Sequence, residues 1–351
     1  MRTHTFLVSS SRQWNPGDEF ILRGVRYLLE AQLGPNINWV LWNRNPDLFV
    51  NRWQDSRLRP DFLTNSAVEP TLDVMDAVVL AGTPEWFGPS VERVYRELLR
   101  HPDVPFLALG IGGCGPGFYF AAHEREVFNR ENSLIICRNP VLAQEINEQL
   151  GSEKAIVLPC PAFLSAPGFN ERSSSDFEAA LPTILVQGDT VENQSTSPAY
   201  VAWLKNRFFT PQNSDNQYRF VAHYIDEFLL FSRLNPNKQI FYSYEPLDYL
   251  NFFATSARNL VASRLHGAIA ALSCGTPAVL AEVESNRLSD AAKPFGNLLP
   301  SLEFEAALDW STHADTRQLA ESSSKIMQLK QKTWNEYQKL LNPFVTKWIK
   351  K

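Results

Sequence analysis

The sequence predicts two α/β domains in tandem, each a doubly wound, Rossmann-like parallel sheet, followed by a C-terminal helix. Three observations carry this. A chain of 351 residues favours two domains over one. Short apolar runs without polar alternation recur along it, as in strands buried on both faces. Amphipathic stretches separate those runs, the alternation that builds parallel sheets.

The elements follow in order. "TFLVSSS" (5–11) reads as a strand, and "DEFILRGVRYLLEAQLG" (18–34) as a helix, with Ile21, Leu22, Val25, Leu28 and Leu29 at helical spacing and Gly34 as its stop. Strand-like runs follow at 38–43, 76–82, 105–113, 133–138 and 155–159, with helical patterns at 90–100, 119–130 and 140–151. "APGFNERSSSDFEAALP" (166–182) breaks the rhythm and reads as a connecting segment. The expected division is therefore 1–166, a linker at 167–182, and 183–351. The second half restarts with a strand at 183–189. A long helical pattern lies around 217–234, a strand at 239–245, a helix at 246–257, a strand at 259–263, a helix from 267, and a strand at 277–282. Leu319, Ile326, Met327, Trp334, Tyr337 and Leu341 mark a last helix over about 315–342.

Composition narrows the function. Lys and Arg total 33 against 38 Asp and Glu, a net charge of −5, which argues against nucleic acid as the main partner. Cys114, Cys137, Cys160 and Cys274 fit no zinc spacing and read as buried thiols, suited to a reducing compartment. No run reaches the length of a membrane span, and the N-terminus lacks a signal-peptide core. The expectation is a cytoplasmic protein without a transmembrane segment, peripheral membrane association being left open.

Polar residues gather where apolar strands give way to helices, the places at which doubly wound sheets bind ligands. In "QWNPGDEFIL" (13–22), Asn15, Pro16 and Gly17 read as a tight turn and Asp18 as a helix N-cap. "GIGGCGPG" (110–117) brings Gly112, Gly113 and Gly115 after a strand, as a loop that lets backbone approach a ligand; it lacks the Lys-Ser/Thr of a P-loop. Arg138 ends the strand of "IICRNP" and suits a carboxylate or phosphate. In "SRLHGAIAALSCGTPAV" (263–279), Arg264 and His266 precede a small-residue helix. If the chain is still extended there, Leu265 points away and the two polar side chains share a side. An arginine to hold an anion and a histidine to move a proton form a reactive pair. His4, His101, His123, His223 and His313 show neither metal spacing nor an evident acid partner. Trp14, Trp42 and Trp86 lie near strand ends, where a sugar could stack.

Taken together, "NPGDEFIL", "GIGGCGPG", "ICRNP", "PCPAF" (159–163) and "SRLHGAIAALSCGTP" resemble, in order, the motifs of the polysaccharide pyruvyl transferase family. The resemblance spans about residues 15 to 280. It implies a GT-B-like fold and transfer of the pyruvyl group of phosphoenolpyruvate to a sugar diol as a ketal. It also implies no required metal and no cofactor beyond that co-substrate. Arg264 and Arg138 would hold the donor, with Leu265 and Gly267 beside them, and His266 would be the acid/base. Asn15, Gly17, Asp18, Gly112, Gly113 and Gly115 would shape the pocket for a glycan or lipid-linked saccharide. Asn139 and Cys160 stand where the pattern has Asp, and "AGTPEW" (81–86) has lost most of its glycines. Two rivals follow. One is a GT-B glycosyltransferase with a nucleotide-sugar donor, which tends to place a Glu in the helix after the histidine; here that helix reads Gly267-Ala268-Ile269-Ala270-Ala271-Leu272. The other is a non-catalytic scaffold or ligand sensor.

Overall fold

Strands such as "FLALGI" are buried along their whole length, so both faces of their sheet must be covered, and helices supply the cover. The computed structural model describes residues 3–10, 16–43, 72–82, 89–113, 119–187, 198–210, 217–281 and 287–350. The chain divides into two compact units. The first comprises Met1–Gln13, Ile21–Ser165 and Lys332–Lys351; the second comprises Trp14–Phe20 and Ala166–Gln331.

The first unit is built from β1 (His4–Ser10), α1 (Pro16–Leu33, less its first turn), β2 (Ile37–Asn43), β3 (Ala77–Ala81), α2 (Pro89–Arg100), β4 (Phe106–Ile111), α3 (Ala122–Asn129), β5 (Ser133–Cys137), α4 (Pro140–Leu150) and β6 (Ala155–Val157). The sheet runs β2-β1-β3-β4-β5-β6, parallel throughout. Tyr95, Phe106 and Phe128 meet edge to face in its core, at 5.2–5.9 Å between centroids. The turn at 159–163 is packed inside this unit. Cys160 is fully buried, the Tyr337 hydroxyl donates to the Pro159 carbonyl at 2.9 Å, and Pro161 opens a 3₁₀ turn over Pro161–Leu164. Cys160 is thus a core thiol here.

The second unit holds α5 (Ser174–Glu178), β7 (Leu181–Val186), α6 (Pro198–Phe208), β8 (Arg219–Ala222), α7 (Ile225–Leu234), β9 (Ile240–Phe241), α8 (Pro246–Thr255), β10 (Ala257–Ala262), α9 (Leu265–Ser273), β11 (Ala278–Ala281), α10 (Arg287–Ala292), β12 (Ser301–Leu302), α11 (Phe304–His313) and the start of α12 (Thr316–Trp348). Its sheet runs β12-β11-β10-β7-β8-β9, again parallel. Arg172 holds the segment that enters this unit at Ala166. Its buried guanidinium donates to the Ala257 carbonyl and the Thr276 hydroxyl, each at 2.7 Å, and lies 4.2 Å over the Phe177 ring.

Three expectations change. The helix expected over 217–234 contains β8, because "RFVA" carries an aromatic and a β-branched residue into the sheet before the helix starts at Ile225. The strand expected over 239–245 shrinks to Ile240–Phe241. There the Ser243 hydroxyl accepts from the Glu245 N–H at 3.0 Å and donates to Asp248 at 2.6 Å, turning the chain toward α8. Asp18 is not an N-cap: α1 begins at Pro16, whose missing N–H suits a first helical position, so Asp18 sits buried within the first turn.

Two glycines make the packing testable. A Cβ on Gly24 would lie 1.8 Å from the Pro161 carbonyl oxygen, against backbone that cannot rotate away. Gly34, with φ +82°, has open space around its Cβ position. Gly24→Ala should destabilise the protein by about 3 kcal/mol or more. Gly34→Ala should cost only the left-handed backbone penalty of about 1–2 kcal/mol. Urea unfolding of the two variants checks the order.

Candidate functional site

In the second sheet the chain lays β7, β8 and β9 outward one way, then returns to place β10 on the other side of β7. The C-terminal ends of β7 and β10 therefore flank a topological switch point, where open α/β sheets leave a crevice. Ser263 and Arg264 follow β10 directly. Arg264, with φ −119° and ψ 123°, is the N-cap of α9. The helix thus begins at Leu265, two residues sooner than an extended chain through His266 would allow. Leu265 is buried, while Arg264 and His266 keep partial exposure in and just before the first turn of α9.

One carboxylate organises these strand ends. Glu227, the third residue of α7, has no exposed side-chain surface. One of its oxygens, Oε2, accepts the backbone N–H groups of His223 and Tyr224, at 3.3 and 3.2 Å, just after β8. The other, Oε1, accepts from Arg264 Nη2 in a close ion pair. The guanidinium also lies 4.2 Å over the Tyr224 ring. Burial pulls against the charge of Arg264, but Glu227 foremost and Tyr224 after it outweigh burial and hold the group above its ordinary range. Its side chain retains 15% exposure, and its Nε has no hydrogen-bond partner among the described residues.

His223 is buried between rings, edge-on to Tyr249 at 5.3 Å and to Phe20 at 6.2 Å. The Tyr249 hydroxyl donates to the Ala222 carbonyl at 2.8 Å. Gly267 makes room for this arrangement, since a Cβ there would lie 3.1 Å from His223 Cε1 and 3.2 Å from the Leu185 methyls. Burial, then the charge of Arg264, pushes the His223 imidazole down to about 3. It is neutral at physiological pH, and its Nε2 and the Ser263 hydroxyl oxygen, both buried, lack hydrogen-bond partners among the described residues. At the far end of α9, Lys330 Nζ donates to the Ser273 and Ala166 carbonyls, each at 2.6 Å. A cation there complements the helix macrodipole.

The first unit carries a second arginine in a similar place. Arg138 follows β5, is buried, and donates its backbone N–H to the Ile111 carbonyl at 3.0 Å. Its guanidinium lies against Gly112: a Cβ there would meet Nη2 at 2.4 Å and Nε at 2.5 Å. Gly113 donates its N–H to Asn139 Oδ1 at 3.3 Å. Asn139 thus supplies the acceptor that an aspartate would, without its charge. Gly17 is buried in the first turn of α1. Asn15, Gly115, Cys114, Trp14, Trp86 and the side chain of Trp42 lie outside the described residues.

Sequence reasoning missed Glu227, His223 and Tyr224. The signal was available in "HYIDEF": a glutamate at the third helical position commonly reaches back to the N–H groups before the helix. The reading that the other histidines lack acid partners also fails. His101 Nδ1 lies 3.4 Å from Asp73, His313 Nδ1 3.1 Å from Asp309, and His4 Nδ1 3.9 Å from Asp76. Among the described residues, no group of three or more His, Cys, Asp or Glu is arranged to hold a metal ion. No described helix is long and apolar enough to cross a membrane. Cys137, Cys160 and Cys274 are buried and free, as expected.

His223 gives a pH prediction. Because its folded pKa lies far below the unfolded value, the unfolded chain takes up a proton that the folded chain refuses as pH falls from about 6.5 toward 3. The stability this neutral imidazole provides is complete above about pH 6.5 and drains below it. His223→Leu should remove that dependence. Its urea midpoint should fall less between pH 7 and 4 than that of the wild type, whose unfolding constant rises up to about tenfold more per pH unit.

With this geometry in view, the comparisons are informative. A family model described as polysaccharide pyruvyl transferase matches residues 15–285. No curated protein gives a significant match to the sequence. Among solved structures, the chain is similar to the UDP-GlcNAc 2-epimerase of Methanocaldococcus jannaschii, with a TM-score of 0.52 at 13% identity, covering 94% of this chain and 100% of that one. It is also similar to the glycosyltransferase SnogD of Streptomyces nogalater, with a TM-score of 0.51 at 14% identity, covering 98% and 100%. The fold is of the GT-B-like kind, as the sequence implied.

Proposed function

The chain belongs to the polysaccharide pyruvyl transferase family, and we propose that it moves the pyruvyl group of phosphoenolpyruvate onto a sugar diol of a glycan, forming a ketal and releasing phosphate. The observation that carries this reading is the end of β10. There a guanidinium held by edge and face, a partly exposed imidazole and a helix N-terminus meet at a topological switch point.

Phosphoenolpyruvate carries a phosphate and a carboxylate close together. Arg264 and the N–H groups opening α9 offer such an anion oriented donors. Arg138 against Gly112 is a second guanidinium of the same kind, in the first unit. In the proposed reaction a proton is delivered to the methylene carbon of the donor, leaving an oxocarbenium-like centre at C2. One sugar hydroxyl adds there and loses its proton. The second displaces phosphate and closes the ring. His266 moves protons in this scheme; buried, neutral His223 does not. The acceptor is a saccharide, free or lipid-linked. A nucleotide-sugar reading has less support, because α9 runs "LHGAIAALS" without a carboxylate for a ribose.

Phosphate release in the presence of phosphoenolpyruvate and a panel of glycans tests the reaction. His266→Ala should lower it by about 10²–10⁴-fold. Arg264→Ala should abolish it too, but that change strands a buried carboxylate, and its thermal midpoint must be recorded alongside. The loss of stability should be about 3–5 kcal/mol. Turnover that survives in folded His266→Ala would remove the assignment. Thermal stabilisation by UDP and none by phosphoenolpyruvate would favour a nucleotide-sugar enzyme.

A further inference from the structure

We infer that Glu227 is a positioning residue for Arg264, setting the orientation of an anion-binding guanidinium; this rests on the donor-binding reading above. β8 and β10 lie on either side of β7, and a single carboxylate joins their C-terminal ends. It takes the N–H groups of His223 and Tyr224 on one oxygen and Arg264 Nη2 on the other. The Tyr224 ring fixes one face of the same guanidinium. Edge and face are thus both set before any ligand arrives. The Arg264 side chain retains 15% exposure, so part of the guanidinium remains open to a ligand.

Glu227 also has an electrostatic effect. In the resting protein it neutralises Arg264, so the guanidinium acts as an oriented donor more than as surplus positive charge. Its removal should pull binding and turnover in opposite directions. Anions should bind more tightly, because a repelling carboxylate has gone. Chemistry should slow, because the fork no longer holds the donor in the reactive pose.

Glu227→Gln separates these effects. The glutamine oxygen can still accept the two backbone N–H groups. Its NH₂ then faces Arg264 donor to donor, and the guanidinium is released. The thermal midpoint should fall, because a buried ion pair is broken; in the protein that remains folded, kcat should fall at least tenfold and the KM for phosphoenolpyruvate should fall a few-fold. Glu227→Asp keeps the charge but shortens the reach; its kcat should fall with the donor KM little changed. A purely structural ion pair would lower the thermal midpoint in the same way but leave kcat and KM of the folded protein untouched. That result would overturn the proposal.

Calorimetric titration with inorganic phosphate provides a readout independent of turnover. Binding to Glu227→Gln should be about fivefold tighter than to wild type. Equal affinity would overturn the role of Glu227, even if phosphoenolpyruvate is the substrate. If wild type releases no phosphate from phosphoenolpyruvate while the titration shift appears, the donor assignment fails and the positioning role stands.

Discussion

A buried carboxylate paired with an arginine across the end of a parallel sheet is the constraint around which the second unit is arranged. Such a pair is costly to bury, since each ion gives up its hydration. Glu227 offsets that cost by accepting from the His223 and Tyr224 backbone N–H groups and from Arg264, among its partners. The fold supplies these partners because β8 and β10 end at the same edge of the sheet, with β7 between them. Parallel order and the reversal after β9 are therefore conditions of the electrostatics as well as of the packing. Gly267 and His223 follow from the same constraint. The first turn of α9 approaches β8 closely enough that a Cβ at 267 would press on the imidazole, and the imidazole stays neutral beneath Arg264.

The first unit uses a different device to set its arginine. Arg138 is positioned by backbone, with its own N–H on the Ile111 carbonyl and its guanidinium against the bare Cα of Gly112. Gly110, with φ +75°, brings the end of β4 close to Pro161, where a Cβ would lie 2.2 Å from the proline Cδ. The 159–163 turn is thus a packing wedge for the glycine-bearing strand end, and Cys160 is a fully buried thiol within it.

Much of this was legible in the chain because doubly wound sheets write themselves in local code. Apolar runs such as "FLALGI" and "NLVAS" declare buried strands, and strand-to-helix junctions declare where polar residues do chemistry. That logic singled out Arg138, Arg264 and His266, which the structure places after β5, after β10 and in the first turn of α9. It did not reach Glu227, because "RFVAHYIDEF" holds a strand and a helix start within ten residues and the helical period alone suggested one continuous helix. The pairing of Glu227 with Arg264 spans 37 positions, and no local pattern encodes it. The grouping of residues 332–351 with the first unit is equally non-local: the apolar stripe of α12 announces a buried face but not which core receives it.

The two histidines near α9 show how environment divides roles between like side chains. His223 has the deeper position and a strongly lowered pKa, and a search by perturbed titration alone would select it as the acid/base. Its perturbation has the wrong sign for that task. Burial and a neighbouring guanidinium both disfavour the imidazolium, so a proton taken up there would be released far below neutral pH. It serves instead as neutral packing between Phe20, Tyr249 and the α9 backbone. His266 lies in the first turn of α9 and keeps access to solvent, through which a proton can be exchanged. Of the two, His266 is the more accessible, which is why it is the one proposed to move protons.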